Sequence, residues 1–244
     1  ALSTIIDESF AEFARLTGRS YSAITEHRTD KAQFLLVAQG AAIETAMAVC
    51  DVLRKKHKLK FGVIGLNALR PLPGPQLARL FDCKRAVMVL ERSDTPLADD
   101  TPLLRELRAV LDKAQENERF PGEINTGYPA MENKFRPRML SAIYGLGGLP
   151  LRAADLITLG QNMSEISHYR HYLGLDFHRA DSIHPKRQVM LDTLRRNYPE
   201  IAKLGLRSKA SAIAPATDEL SVASHHLAGE PGEALAMEAA SFLH

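Results

Sequence analysis

The chain has 244 residues, 45% of them hydrophobic, enough core material for one large domain or two smaller ones. Its 31 Lys and Arg nearly cancel its 29 Asp and Glu, so the overall balance does not point to a nucleic-acid or membrane-surface protein. No run reaches the roughly 18 apolar residues that span a bilayer and no signal-peptide pattern opens the chain. Two cysteines, Cys50 and Cys83, fit a cytoplasmic protein without a disulfide and are too few for a four-thiolate iron–sulfur cluster.

Residues 1–16 place Ile5, Phe10, Phe13 and Leu16 at helical spacing, and Thr17-Gly18 closes that helix with a glycine cap. A polar connector, Glu26-His-Arg-Thr-Asp30, leads into an apolar strand beginning at Gln33 and stopped by Gly40. Residues 41–56 then return to helical spacing through Ile43, Met47, Val49, Val52 and Leu53. A second strand covers 59–66, an Arg70-Pro-Leu-Pro73 loop follows, a short helix covers 74–82, and a third strand from Ala86 delivers Glu91-Arg92 at its end. Continuous apolar strands alternating with helices predict a parallel sheet covered on both faces.

Asp99-Asp-Thr-Pro102 fits a helix start with Pro at the first helical position, opening a helix to about Glu116. Residues 119–138, rich in Pro, Gly and charge, read as an exposed excursion. A strand over 139–144, a Gly145-Leu-Gly-Gly148 turn, a helix over 151–163 and a strand over 172–177 complete the pattern. The expectation is an α/β fold with an open, doubly wound, mostly parallel sheet and right-handed crossovers. From His184-Pro185 a helix is expected to about Leu204, and the low-bulk stretch 208–218 reads as a linker. Residues 219–244 read as the first βα unit of a further α/β domain. The chain starts without Met and stops inside a helical pattern, so a piece of a longer protein is expected. The domain reading is 1–177, 178–218 as helical connector and linker, and 219–244.

Chemistry-bearing motifs are sparse. Gln39-Gly-Ala-Ala42, Gly145-Leu-Gly-Gly148 and Gly229-Glu-Pro-Gly232 each end a strand before a helix, where backbone N–H groups can face an anion. Each reads first as a packing turn, and the last is acidic. The histidines His168, His171, His178, His184, His225 and His226 lack zinc spacing, and no metal site is expected. The run Arg54-Lys-Lys-His-Lys58 complements the end of its helix dipole. Arg70 and Glu91, read as lying at adjacent strand ends, are expected to pair, as a structural ion pair, an inter-domain clamp or a ligand contact. No nucleophile–base pattern stands out, so no catalytic residue is assigned.

An ordered set of motifs is more specific than the periodicity: Leu16-Thr-Gly-Arg-x-Tyr21, Val37-Ala-Gln-Gly-Ala-Ala-x-Glu-Thr45, Arg70-Pro-x-Pro73, Val89-Leu-Glu-Arg92 with Pro96 and Pro102-Leu103, then Tyr144 to Gly148 and Leu173-Gly-Leu-Asp176. It resembles the second domain of pyruvate:ferredoxin oxidoreductase and related 2-oxoacid:ferredoxin oxidoreductases, with residues 219–244 resembling the start of the following domain. The resemblance implies a transketolase C-terminal-like fold. It also implies a parent that oxidatively decarboxylates a 2-oxo acid, with coenzyme A as acyl acceptor and ferredoxin or flavodoxin as electron acceptor. Thiamine diphosphate, Mg and iron–sulfur (4Fe-4S) clusters are then held by other domains or subunits of a homo- or hetero-oligomer, and this portion alone is inactive. Thr17, Arg19, Arg70 and Glu91 are implied to fix the domain against its neighbours, and Gly229 and Gly232 to lie on the coenzyme A side. Gly40-Ala41-Ala42 departs from a family Gly-Ser-Ala by losing a hydroxyl. Two alternatives stay open: the equivalent domain of a 2-oxoacid dehydrogenase or transketolase, and a non-enzymatic subunit-interaction module.

Overall fold

The structure, a computed structural model, describes residues 2–199 except 96, 121–123, 149, 165–169 and 175–184. The linker, the further domain, Gly229 and Gly232 therefore lie outside the described residues, as do His168, His178, His184, His225 and His226.

Helix α1, Leu2–Thr17, ends where expected, with Gly18 at φ +71° and its N–H donating to the Ala14 carbonyl. The sheet strands are β1 Ile24–His27, β2 Phe34–Gln39, β3 Phe61–Leu66, β4 Ala86–Glu91, β5 Arg138–Ile143 and β6 Arg170–Tyr172. Between them run α2 Ala42–His57, α3 Gly74–Phe81, α4 Pro102–Arg119 and α5 Ala153–Asn162. After the sheet comes α6, Pro185–Asn197, and the expected helix end near Leu204 lies outside the described residues. Strand order is β1-β3-β2-β4-β5-β6, parallel throughout except for β1, which pairs antiparallel with β3. This mixed, mostly parallel sheet with helices on both faces is an α/β fold consistent with the transketolase C-terminal-like expectation.

Alternation along the strands divides the core. Phe34, Leu36, Ala38, Met88, Leu90, Leu140 and Ala142 face α2 and α5. Leu35, Val37, Val87, Val89 and Met139 face α3 and α4. Both faces of β2 and β4 are thus buried, which is why these strands read as unbroken apolar runs.

Three expectations are corrected and one is refined. Residues 24–27, read within the polar approach to the sheet, form the edge strand β1. Only Ile24 is buried there, so no apolar run marks it. The last strand ends at Tyr172 instead of beginning there, and Gly174, at φ +79°, turns the chain away. The segment expected as an exposed excursion is exposed at most of its described residues, and it is also tied along α4. Met131 is buried and its N–H meets the Ala114 carbonyl, while the Asn117 amide donates to the carbonyls of Asn125 and Tyr128.

The third correction concerns crossover hand. The β5–α5–β6 unit advances along the sheet in the same direction as β4–α4–β5, yet α5 lies on the α2 face and α4 on the other. Its hand is therefore opposite to that of the other crossovers, against the uniform hand expected. Burial supplies the reason: without α5 on that face, Leu90, Leu140 and Ala142 would lie uncovered. Gly160 permits the close α5–α2 approach, since a Cβ there would stand 2.4 Å from Leu53 Cδ1.

Candidate functional site

In an open parallel sheet the loops at the carboxyl ends of the strands, near the point where strand order reverses, are the natural place for a site. Here that point lies between β2 and β4, where α2 leaves on one face and α4 on the other. The residues around it are Gly40 after β2, Glu91-Arg92 after β4 and Tyr144-Gly145 after β5.

Glu91 is buried at the start of α4. Its carboxylate accepts the backbone N–H of Leu103 at 2.7 Å and of Leu104 at 3.2 Å, and the Thr101 hydroxyl also donates to it. Thr101 is the residue before the helix, but its side chain makes no cap bond of its own. Glu91 thus fills the helix N-terminus that would otherwise attract an anion, satisfying two otherwise orphaned N–H groups. The expected pairing with Arg70 is absent because β3 and β4 are not neighbours: β2 runs between them. Arg70 instead reaches Glu106 on α4 at 2.9 Å and the carbonyl of Leu69 at 2.7 Å, with its side chain 70% exposed.

The loop between β4 and α4 is held at several points. Arg170 donates to the carbonyls of Ala98 and Asp99 at 3.1 and 2.7 Å, and the Tyr172 hydroxyl donates to Asp94 at 3.1 Å. Asp100 pairs with Arg108 at 2.7 Å. Burial, reinforced by the Asp94 charge, pushes the Tyr172 phenol above its ordinary range. Burial does the same for Tyr144, with Arg92 opposing it. Neither phenol is a ready base near neutral pH. Arg92 lies along Gly145, at φ +74°, where a Cβ would come within 3.0 Å of the Arg92 Cγ and Nε.

Thr17 and Arg19 lie at the end of α1. The Thr17 hydroxyl donates to the Phe13 carbonyl at 2.8 Å and accepts the Arg19 N–H at 3.2 Å. Of the apolar stripe expected on this helix, Ile5, Phe13 and Leu16 face water at 56%, 42% and 67% exposure while Phe10 is half-buried, and Leu2 is exposed beside them at 59%. Tyr21, also exposed, places its ring 5.6 Å from that of Phe13.

One cluster escaped the sequence reading. His27, Cys50 and Asp51 bring ligand-type atoms within 4.8 Å of one another. Asp51 already accepts from His27 at 3.1 Å and Arg28 at 3.0 Å. Burial, with the Asp51 charge, raises the Cys50 thiol to about 12. A protonated thiol and two nearby guanidinium groups, Arg28 and Arg54, make poor company for a cation, so the cluster reads as a strap between β1 and α2. Among the singled-out histidines, His171 is described, and it is buried on β6.

The donor set does not fit an iron–sulfur cluster, since the two cysteines are one buried thiol in α2 and one exposed thiol at Cys83. Nor does the α4 N-terminus fit a diphosphate, because the Glu91 carboxylate occupies it. Among the described residues, no helix is long and apolar enough to cross a membrane.

Comparison with known proteins bears on this arrangement. The family described as pyruvate:ferredoxin oxidoreductase core domain II matches residues 32–127. Pyruvate-flavodoxin oxidoreductase of Nostoc sp. is 30% identical over 138 residues, covering 56% of this chain and 33% of that protein. Pyruvate synthase subunit PorA of Thermotoga maritima is 26% identical over 174 residues, covering 70% and 39%. The PorA subunit of Methanothermobacter thermautotrophicus is 32% identical over 91 residues, covering 37% and 24%. The chain therefore spans well under half the length of these relatives.

Proposed function

We propose, from the premise that this chain belongs through residues 32–127 to the pyruvate:ferredoxin oxidoreductase core domain II family, that it positions the catalytic parts of a longer oxidoreductase. The parent reaction in this reading is oxidative decarboxylation of a 2-oxo acid such as pyruvate, with the acyl group passed to coenzyme A and electrons to ferredoxin or flavodoxin. Thiamine diphosphate, Mg and iron–sulfur clusters belong to other domains or subunits. Thr17, Arg19 and Arg70 face those neighbours, and Glu91 keeps the adjoining loop in place. The domain limits 1–177, 178–218 and 219–244, and Gly229 and Gly232 on the coenzyme A side, form part of the same proposal.

The observation that carries this reading is the water-facing apolar stripe of α1, directly before Thr17 and Arg19. A row of large side chains exposed in this way marks a contact surface. The carboxyl edge of the sheet supports it, because its buried carboxylate, phenol and guanidinium groups hold one another and the α4 N-terminus. Positioning has catalytic weight, as ångström-scale misplacement of reacting parts can cost on the order of a hundredfold in rate.

The test uses the full-length parent enzyme. Phe13→Ser with Leu16→Ser should lower pyruvate-dependent reduction of an electron carrier by at least about tenfold and weaken the protection of α1 in limited proteolysis. Unchanged turnover together with unchanged protection would reject the positioning role.

A further inference from the structure

The near-neutral charge of the whole chain hides a strongly one-sided distribution. The amino-terminal edge of the parallel strands is assembled from residues 28–31, 54–60, 82–85 and 136–138. These stretches contain eleven Lys and Arg and two Asp, in a chain whose formal net charge is +2, and two of the eleven, Arg28 and Arg136, pair with Asp51 of α2 and Asp112 of α4. Backbone bonds set them in a row. The Gln33 N–H meets the Lys60 carbonyl at 2.7 Å, the Arg85 N–H meets Gln33 at 2.8 Å, and the Arg138 N–H meets Arg85 at 3.1 Å. With strands about 4.8 Å apart, Lys60, Arg85 and Arg138 span on the order of 15 Å. The last turn of α2 adds Arg54, Lys55 and Lys56, and Lys58 caps it in the left-handed conformation at φ 55°.

Lys55, Lys58, Lys60, Arg85 and Arg138 are exposed. Lys55, Lys58 and Lys60 have no carboxylate partner among the described residues, and Arg85 lies 5.7 Å from the Phe34 ring. The α2 dipole accounts for cations on its own last turn. It does not account for Lys60, Arg85 and Arg138, which stand at the beginnings of three different strands.

We infer that this edge is a docking surface for an acidic protein. A small phosphate is disfavoured because α2 presents its C-terminal end here, the negative pole of its dipole. A single-stranded nucleic acid needs exposed rings on which bases stack. Phe34 and Phe61 are buried, and Phe135, though 37% exposed, is a single ring with the Lys134 ammonium 4.9 Å from its centroid. A row of exposed cations along the sheet edge matches carboxylates spread over a protein surface, and it speeds encounter through charge complementarity.

The test titrates the full 244-residue chain against fluorescein-labelled polyglutamate of about 30 residues, with oligo-dT of similar length and phosphatidylglycerol vesicles as parallel probes. Polyglutamate should bind, weakening at least about tenfold between ~30 and ~300 mM salt. Lys55→Glu/Lys60→Glu/Arg85→Glu should weaken that binding by at least about tenfold. The milder Lys60→Gln/Arg85→Gln should weaken it about threefold with an unchanged circular dichroism spectrum. A matched reversal on α4, Arg105→Glu/Lys113→Glu/Arg119→Glu, should stay within about twofold of the parent chain. Equal losses in the two triple variants, or tighter binding to oligo-dT or to vesicles than to polyglutamate, overturns the proposal.

Discussion

The two edges of one sheet are built on opposite plans. At the carboxyl edge, Glu91, Asp94, Arg170 and Tyr172 turn inward, donating to and accepting from one another and the backbone around α4. At the amino edge, Lys55, Lys58 and Lys60 extend into water. The difference follows from the direction of the chain. Helices of a parallel α/β unit begin at the carboxyl edge, leaving N–H groups that a carboxylate can satisfy, and end at the amino edge, where cations complement the dipole. Buried charge fixes a loop, whereas solvated charge leaves stability nearly untouched and remains available to a partner.

The sharpest way to break that contrast is Glu91→Ala. It strips partners from two helix N–H groups and from the Thr101 hydroxyl in a buried setting, and should cost about 3 kcal/mol in urea unfolding. A loss below about 0.5 kcal/mol would erase the distinction between the edges. Gly145→Ala probes the same edge more gently. Left-handed φ and the crowding of Arg92 should together cost about 1–2 kcal/mol by the same assay.

Beneath the amino edge, Cys50 predicts a pH effect. Its folded pKa of about 12 lies above the ordinary value of 9.0, so the folded state holds the proton more tightly. The contribution is full below about pH 9 and falls as pH rises towards 12, by at most about 1.4 kcal/mol per unit. Stability curves of the parent chain and Cys50→Ala should converge across that window, and a constant offset between them would contradict the assignment. The smallest effects belong to solvated cations. Arg70→Ala, which breaks a contact whose arginine side chain is 70% exposed, and Lys60→Gln should each shift unfolding by under about 0.5 kcal/mol. A larger shift from Lys60→Gln would show that the amino edge is also structural.

The buried strands were legible because β2 and β4 bury both faces and so leave unbroken apolar runs in the sequence. Strand β1 was not, since an edge strand with only Ile24 buried carries no such run. The Arg70–Glu91 pairing failed for a topological reason: periodicity identifies strands but not their order, and β2 separates the two strand ends. Asp99-Asp-Thr-Pro102 announced the start of α4 correctly, yet the side chain bonded to that helix end comes from Glu91, about ten residues earlier, which local capping rules cannot see. The His27–Cys50–Asp51 strap was hidden likewise, joining an edge strand to a helix more than twenty residues away. The basic edge was present in the composition but invisible to it, because acidic residues elsewhere bring the total near zero.

Hydrogen exchange on the 244-residue chain, alone and within the longer enzyme proposed as its parent, tests the proposed positioning role most directly. The amides of 2–21 and 67–72 should gain protection in the parent, while those of 86–90, already buried in the sheet, should change little. Identical exchange of 2–21 and 67–72 in the two forms would contradict the account.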